Sequence, residues 1–171
     1  MSQRFPMTPA GYARMKKQLD QLKRVERPGI SAAIEEARAH GDLKENAEYH
    51  AAKEKQGLIE ARIREYEAKV SLAQVIDPTT LSGSRVTFGA TVRLMDNDTD
   101  EEVTYSIVGA DEADVKSRLL NYLSPIAAGL MGKEVDDDVE IRTDGGKRSF
   151  TILAIEYREI ILPEVLPGGL V

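Results

Sequence analysis

The sequence has no cysteine, no tryptophan and only three phenylalanines. The absence of cysteine excludes disulfide bonds, thiolate metal sites and a cysteine nucleophile. No apolar run approaches the roughly 18–20 residues that a membrane-spanning helix needs. The N-terminal residues also lack the apolar segment of a secretory signal peptide. We therefore expect a cytoplasmic protein that has no membrane partner.

An excess of positive charge is also missing. The 171 residues include 23 Lys and Arg against 29 Asp and Glu, a net charge of −6. This balance argues against autonomous binding to nucleic acid. The charge is uneven, because residues 1–77 carry 14 basic and 12 acidic residues (+2), whereas residues 78–171 carry 9 and 17 (−8). The composition changes at the same point, which predicts two structural parts.

The first part has the apolar spacing of a long helix. Thr8 can cap its start, and Pro9 suits the first helical position. The apolar stripe consists of Tyr12, Met15, Leu19 and Leu22, then Ile30, Ile34 and Ala37. Between its two halves the stripe slips by one residue near Pro28 and Gly29. We expect a kink or a short break there.

A second helical pattern follows Gly41. From Ile59 its apolar residues recur at steps of 4, 3, 4 and 3, which is a heptad seam. Two helices joined by a tight turn near Gly41 would form an antiparallel coiled-coil hairpin. Periodicity alone also fits a dimerising coiled coil or a fragment of a helical bundle.

The turn between these helices carries two carboxylates, Asp42 and Glu45. Their spacing resembles a capping box, in which Asp42 would cap the second helix and Glu45 would reach back. Alternatively, they could be metal ligands. Two carboxylates cannot cage Mg²⁺ alone, but they could complete a Mg²⁺ site inside another macromolecule.

The second part alternates apolar and polar residues, as β-strands do. Two hairpins are predicted, one turning at residues 96–100 and the other at residues 144–146. Ser124 and Pro125 begin a short helix. The fold class is therefore α+β: a helical hairpin followed by a small antiparallel sheet with one short helix. The acidic runs at residues 96–102 and 136–138 are expected to be solvated.

Five blocks of the sequence closely resemble the bacterial Gre transcript-cleavage factors, in their GreA branch. They are residues 38–52 (RAHGDLKENAEYHAA), 73–77 (AQVID), 86–92 (VTFGATV), 100–105 (DEEVTY) and 124–134 (SPIAAGLMGKE). The resemblance extends over nearly the whole chain. It implies a coiled-coil arm at residues 1–77, a linker at 78–84 and an FKBP-like docking domain at 85–157. Prolyl isomerase activity is not expected, because an aromatic-lined pocket cannot be built from so few aromatic residues.

The resemblance also implies a function. The arm would enter the secondary channel of RNA polymerase, and the polymerase would then hydrolyse backtracked nascent RNA. Asp42 and Glu45 would help to hold a second Mg²⁺, with Asn46 in support. The protein would not be an enzyme itself, since the catalysis belongs to the polymerase. A non-cleaving regulator or inhibitor that binds the same channel is the alternative, and a structural or chaperone-like module is a third.

Contacts with the partners follow from the same resemblance. Arg38 and Lys53 are the candidates for contact with the RNA 3′ segment, although pairing with local glutamates would also explain them. Ser124, Pro125 and Ile126 are the candidates for docking on the polymerase. We expect a monomer. Residues 158–171 form an apolar tail, and the sequence leaves open whether it packs on the sheet, binds a partner or is disordered.

Overall fold

The computed structural model describes residues 3–42 and 46–164. These residues form four α-helices and seven β-strands. The helices are α1 (Pro9–Gln21), α2 (Arg27–Arg38), α3 (Ala47–Ser71) and α4 (Pro125–Leu130). The strands are β1 (Phe5–Met7), β2 (Ala73–Val75), β3 (Thr91–Asp96), β4 (Glu102–Val108), β5 (Leu119–Asn121), β6 (Asp138–Thr143) and β7 (Gly146–Glu156). None of the described helices is long and apolar enough to cross a membrane.

The chain divides into two compact units. The first comprises Tyr12–Ala73, and the second combines Arg4–Gly11 with the described residues from Gln74 onward. The N-terminal strand β1 and the start of α1 thus belong to the same unit as the sheet. The limits given above for the linker and the docking domain stay predictions.

The first unit is the expected helical hairpin, closed by one apolar seam. Ile30, Ile34 and Ala37 of α2 and Ile59 and Ile63 of α3 are buried. Helical spacing puts the buried residues of each helix on one face, so they form a continuous stripe. The predicted antiparallel arrangement of the two helices is confirmed by the ion pairs that join them.

Of the kink or short break expected at Pro28 and Gly29, the break is wrong, and the kink stays a prediction. The helix continues through both residues, and a π-helical turn at Leu22–Glu26 connects α1 to α2. The backbone N–H of Arg27 donates to the carbonyl oxygen of Leu22, five residues earlier. A π-turn accommodates one extra residue, so it absorbs the slip in the apolar stripe without interrupting the helix. Pro28 lies in the first turn of α2, where its missing N–H is tolerated.

Ion pairs outside the apolar seam connect the two helical arms of the hairpin. The Arg27 guanidinium donates to both carboxylate oxygens of Glu60, at 2.8 and 3.0 Å. This hydrogen bonding lowers the pKa of Glu60 below its ordinary value of 4.5. Lys23 pairs with Glu67 at 2.9 Å. These pairs show which residues of the two helices lie opposite each other.

The second unit contains a five-stranded sheet in the order β5-β4-β3-β7-β6. Both predicted hairpins are confirmed, with Leu94 opposite Val103 in one and Val139 opposite Phe150 in the other. The sheet is mixed rather than wholly antiparallel, because β5 pairs with β4 in parallel. A three-residue strand is too short to show an alternating pattern, so β5 could not be predicted from the sequence. β1 and β2 form a separate two-stranded sheet.

The core of this unit lies between the sheet and α4. Its fully buried side chains include Val92 and Leu94 of β3, Phe150 and Ile152 of β7, and Leu130 of α4. Asp96, expected to be solvated, is buried instead and accepts a hydrogen bond from Arg148 at 2.8 Å. This bond, helped by the backbone N–H of Asp98, holds the pKa of Asp96 below its ordinary value. It anchors the turn between β3 and β4.

The seam makes a prediction about stability. Ile59 is fully buried, whereas its neighbour Leu58 is 64% exposed. We expect Ile59→Ala to lower the free energy of unfolding by about 2–5 kcal/mol, because it removes buried methyl groups and leaves a cavity. Leu58→Ala, the matched control, should change it by less than about 0.5 kcal/mol. Urea unfolding followed by helical circular dichroism measures both, and equal losses would contradict the assigned seam.

Candidate functional site

The tip of the hairpin is built by the end of α2 and the start of α3. α2 ends at Arg38, and the following N–H groups of Ala39 and His40 still bond to carbonyls of the last turn. Gly41 then has a φ of +117°, a conformation that favours glycine, and it reverses the chain. Asp42 is exposed directly after this reversal. Glu45 lies outside the described residues, so its predicted role is untested.

Asn46 is the residue that closes the tip. Its side-chain oxygen accepts the N–H of Tyr49 at 3.1 Å, so Asn46 is the N-cap of α3. Its side-chain nitrogen donates to the carbonyl oxygen of Ala37 in α2 at 2.6 Å. One amide side chain therefore caps one helix and binds the last turn of the other.

This assignment corrects the capping-box interpretation of Asp42. α3 begins at Ala47, so its cap lies four residues beyond Asp42. The capping-box spacing indicates only Asp42 as the cap, although asparagine accepts backbone N–H groups as well as aspartate does. In the structure, α3 begins directly after the later of these two residues, Asn46. The Asp42 carboxylate is therefore not needed to cap α3.

Arg38 and Lys53, the candidate RNA contacts, are exposed close to the tip. The Arg38 guanidinium lies 5.9 Å from the centre of the Tyr49 ring and 3.6 Å from the Glu35 carboxylate. Lys53 donates to the Gln56 side chain at 3.3 Å. Tyr49 and Lys53 are four residues apart in α3 and thus share a face. Tyr49 therefore contacts Arg38 and lies one helical turn before Lys53.

Ser124, Pro125 and Ile126 form the start of α4. The Ser124 hydroxyl accepts the N–H of Ala127 at 3.3 Å and is the N-cap. Pro125 is exposed at the first helical position. The three residues line an open groove of about 490 Å³ together with Leu120, the last two residues of β6, Arg142 and Thr143, and the turn residue Asp144. The predicted docking residues are thus together on one surface.

The described residues of the tip form no complete metal site. Among residues 3–42 and 46–164, no group of three or more His, Asp or Glu side chains could bind a metal ion. At the tip, both polar atoms of the Asn46 side chain are engaged with backbone groups. The described donor set is the Asp42 carboxylate, a hard oxygen ligand of the kind that Mg²⁺ prefers. It fits a shared site to which the chain contributes part of the ligands.

These features define a class of protein that can act by presenting the end of a helical hairpin to a partner. A helical hairpin that ends in an exposed carboxylate and cationic side chains can present them to a partner, and its described residues enclose no metal centre of their own. Two family models match the chain: "Transcription elongation factor, N-terminal" over residues 5–75 and "Transcription elongation factor, GreA/GreB, C-term" over residues 81–157. The chain belongs to the GreA/GreB family of transcription elongation factors and is GreA-like.

Individual relatives agree with this family. Transcription elongation factor GreA of Ruegeria pomeroyi is 58% identical over 155 residues, which cover 91% of this chain and 99% of the relative. GreA of Jannaschia sp. is 59% identical over the same length and coverage. Among solved structures, GreA factor homolog 1 (Gfh1) of Thermus thermophilus is 28% identical and covers 90% of this chain and 99% of its own, with a TM-score of 0.42.

The dual role of Asn46 can be separated by substitution. Asn46→Ala removes the cap and the bond to Ala37, so we expect it to lower the free energy of unfolding by about 1–2 kcal/mol. Asn46→Asp keeps an oxygen that caps α3 but cannot donate to Ala37, and it should lose less. Urea unfolding of the arm gives both values. An Asn46→Asp variant as unstable as Asn46→Ala would show that the cap contributes nothing measurable.

Proposed function

We propose that this chain is a transcription elongation factor that stimulates RNA polymerase to cleave backtracked nascent RNA. The hairpin enters the polymerase secondary channel and brings its tip to the polymerase active site. Membership in the GreA/GreB family and the high identity to GreA factors support this function. The observation that carries it is the exposed Asp42 carboxylate at a tip closed by Asn46.

Asp42 and Glu45 are the proposed metal ligands. Because the tip has too few ligands for a complete site, the remaining ones come from the polymerase and from RNA phosphates. When bound, such a Mg²⁺ activates water and stabilises in-line displacement at phosphorus. The chain's own residues present carboxylates at a fixed position, so the protein is an activator and not an enzyme.

Asn46 is the proposed positioning residue. Its side chain ties α3 to the carbonyl oxygen of Ala37, so it limits how far the two helix ends can separate. A ligand that is already held to within a fraction of an ångström loses less conformational entropy when the metal binds than a mobile ligand does. Asn46 thus supports Asp42 and Glu45 through the geometry of the tip, without contacting the metal.

The basic side chains near the tip would meet the RNA 3′ segment. Arg38 and Lys53 are cationic and exposed, and each makes a local polar contact that RNA phosphates could replace. Tyr49, which lies against Arg38, offers an aromatic ring on which an unpaired base could stack. Because the polymerase would deliver the RNA, this small group of cations would be enough for the contact. The overall negative charge of the chain is therefore compatible with it.

The surface formed by Ser124, Pro125 and Ile126 is the proposed docking site on the polymerase. The groove beside it has apolar walls from Leu120 and Ile126 and a charged rim from Arg142 and Asp144. An apolar centre with a polar rim is the usual anatomy of a protein interface. The protein would act as a monomer in the cytoplasm, where the polymerase works.

Cleavage of RNA in a backtracked elongation complex with Mg²⁺ tests the metal role. We expect Asp42→Asn and Glu45→Gln each to slow cleavage at least about 10- to 100-fold, because each removes a ligand charge and this is already the usual loss when only a supporting partner of a ligand is removed. Glu48→Gln is the matched control, since Glu48 is an acidic residue in the first turn of α3 outside the proposed pair. Raising the Mg²⁺ concentration should partly restore the Asp42→Asn variant.

Two outcomes would contradict the proposal. Near-normal cleavage by Asp42→Asn would remove Asp42 from the metal site. Binding of the unaltered protein to the polymerase without any cleavage would instead identify it as a non-cleaving regulator.

The docking surface is tested by Pro125→Asp. Aspartate is tolerated in the first turn of a helix, so α4 should still form. We expect polymerase binding to weaken at least about fivefold, the effect of losing a contact worth 1 kcal/mol. Val115→Asp adds the same charge at an exposed position away from the groove and should bind normally. A high concentration of Pro125→Asp should restore cleavage, and failure to do so would contradict a role confined to docking.

A further inference from the structure

The start of α1 is held by a buried carboxylate. Glu112, which is 3% exposed, accepts the backbone N–H and the hydroxyl of Thr8, each at 2.8 Å. The Thr8 hydroxyl in turn accepts the N–H of Gly11 at 3.1 Å, so Thr8 is the N-cap of α1. These residues all belong to the second unit. A buried charge needs such partners, because desolvation is otherwise costly.

Two glycines make room for this contact. A Cβ atom on Gly11 would collide with the Glu112 carboxylate, and one on Gly109 would lie 2.5 Å from the carbonyl oxygen of Pro6. The chain around Glu112 is thus packed directly against the backbone that precedes α1. Any shift of the chain around Glu112 would therefore be transmitted to Thr8.

Glu112 lies on the connection of residues 109–118 between β4 and β5. At one end, this connection follows the buried Val108, and at the other it precedes the buried Leu119. Leu119 exchanges two backbone hydrogen bonds with Asp114, both at 3.0 Å, which close the end of the connection. The position of Glu112 therefore depends on Val108 and Leu119 remaining in place.

The C-terminal segment covers these two residues. Ile160 is 6% exposed and packs in one cluster with Val108 and Leu119, and Leu162 packs against the cluster. The neighbouring Ile161 is 82% exposed. This part of the tail therefore packs on the strands, one of the alternatives that the sequence left open. It lies beyond residue 157, where the C-terminal family model ends.

We propose that residues 158–164 act as a strap that holds the connection of residues 109–118 and, through Glu112, fixes the first turn of α1. Ile160 supplies the apolar anchor, and Glu112 passes the constraint on to Thr8. This role concerns the start of α1 and is independent of the chemistry at the tip. It extends the proposed function by assigning a purpose to the segment outside the family match.

Amide hydrogen exchange followed by NMR on the full chain tests the strap. We expect Ile160→Ala to speed exchange of the Thr8 and Gly11 amides about tenfold or more, because local opening exposes them. Amides of the central strand β3 should change less. Ile161→Ala removes the same atoms from an exposed side chain and should leave all of these rates unchanged. No increase at Thr8 and Gly11, or an equal increase throughout β3, would overturn the proposal.

A second variant tests the route through Glu112. Glu112→Gln keeps the shape of the side chain but loses one acceptor, so it should speed exchange of the same two amides. If Ile160 acts through Glu112, the two changes share one pathway, and their effects on the logarithm of the rate should not add. Full additivity in the double variant would overturn the route through Glu112.

Discussion

The single apolar seam of the hairpin is the constraint on which the tip depends. Each helix of the pair buries one apolar stripe against the other, and it must keep that stripe facing its partner along their contact. The π-turn at Leu22–Glu26 serves this requirement, because it realigns Leu22 with Ile30 after the one-residue slip. Without that correction, the apolar residues of α2 would rotate away from Ile59 and Ile63.

Where the seam ends, polar interactions take over. Ala37 is the last buried residue of α2, and its carbonyl oxygen is the acceptor for Asn46. This junction lets the chain reverse within a few residues, so that Asp42 is exposed beyond the last packed turn. An exposed carboxylate carries little desolvation cost. The packing of the arm and the chemistry of its tip are thus separated along its length.

The distribution of charge matches this division of roles. The part of the chain with the sheet is acidic, whereas the arm is close to neutral and carries Arg38 and Lys53 near its tip. The proposed contact with RNA, which a polymerase would present, would need no basic surface on this chain. The overall acidity argues against free nucleic-acid binding without arguing against contact with RNA at the tip.

Local patterns were sufficient for much of this protein. The heptad spacing around Ile59, the alternating strands and the Ser124 cap depend on near neighbours in the sequence, and the structure has all three. The family resemblance identified Asp42, Glu45 and Asn46 as a group. The sequence did not tell which residue caps α3, since the choice of Asn46 over Asp42 depends on the position of Ala37 in the other helix.

Tertiary structure decided the features that depend on distant residues. A π-turn is present instead of the expected break. Packing of a continuous apolar stripe against α3 stabilises the helix by more than Pro28 and Gly29 destabilise it locally. The parallel strand β5 has too few residues to show a period. Glu112 and Thr8 are 104 residues apart, so nothing local reveals that they meet.

The sequence by itself determined the helices, the hairpins and the acidic tip, because short-range periodicity and capping encode them. The contacts that hold these elements in place required the folded chain, because burial of Glu112 and Ile160 arises only when remote segments pack together.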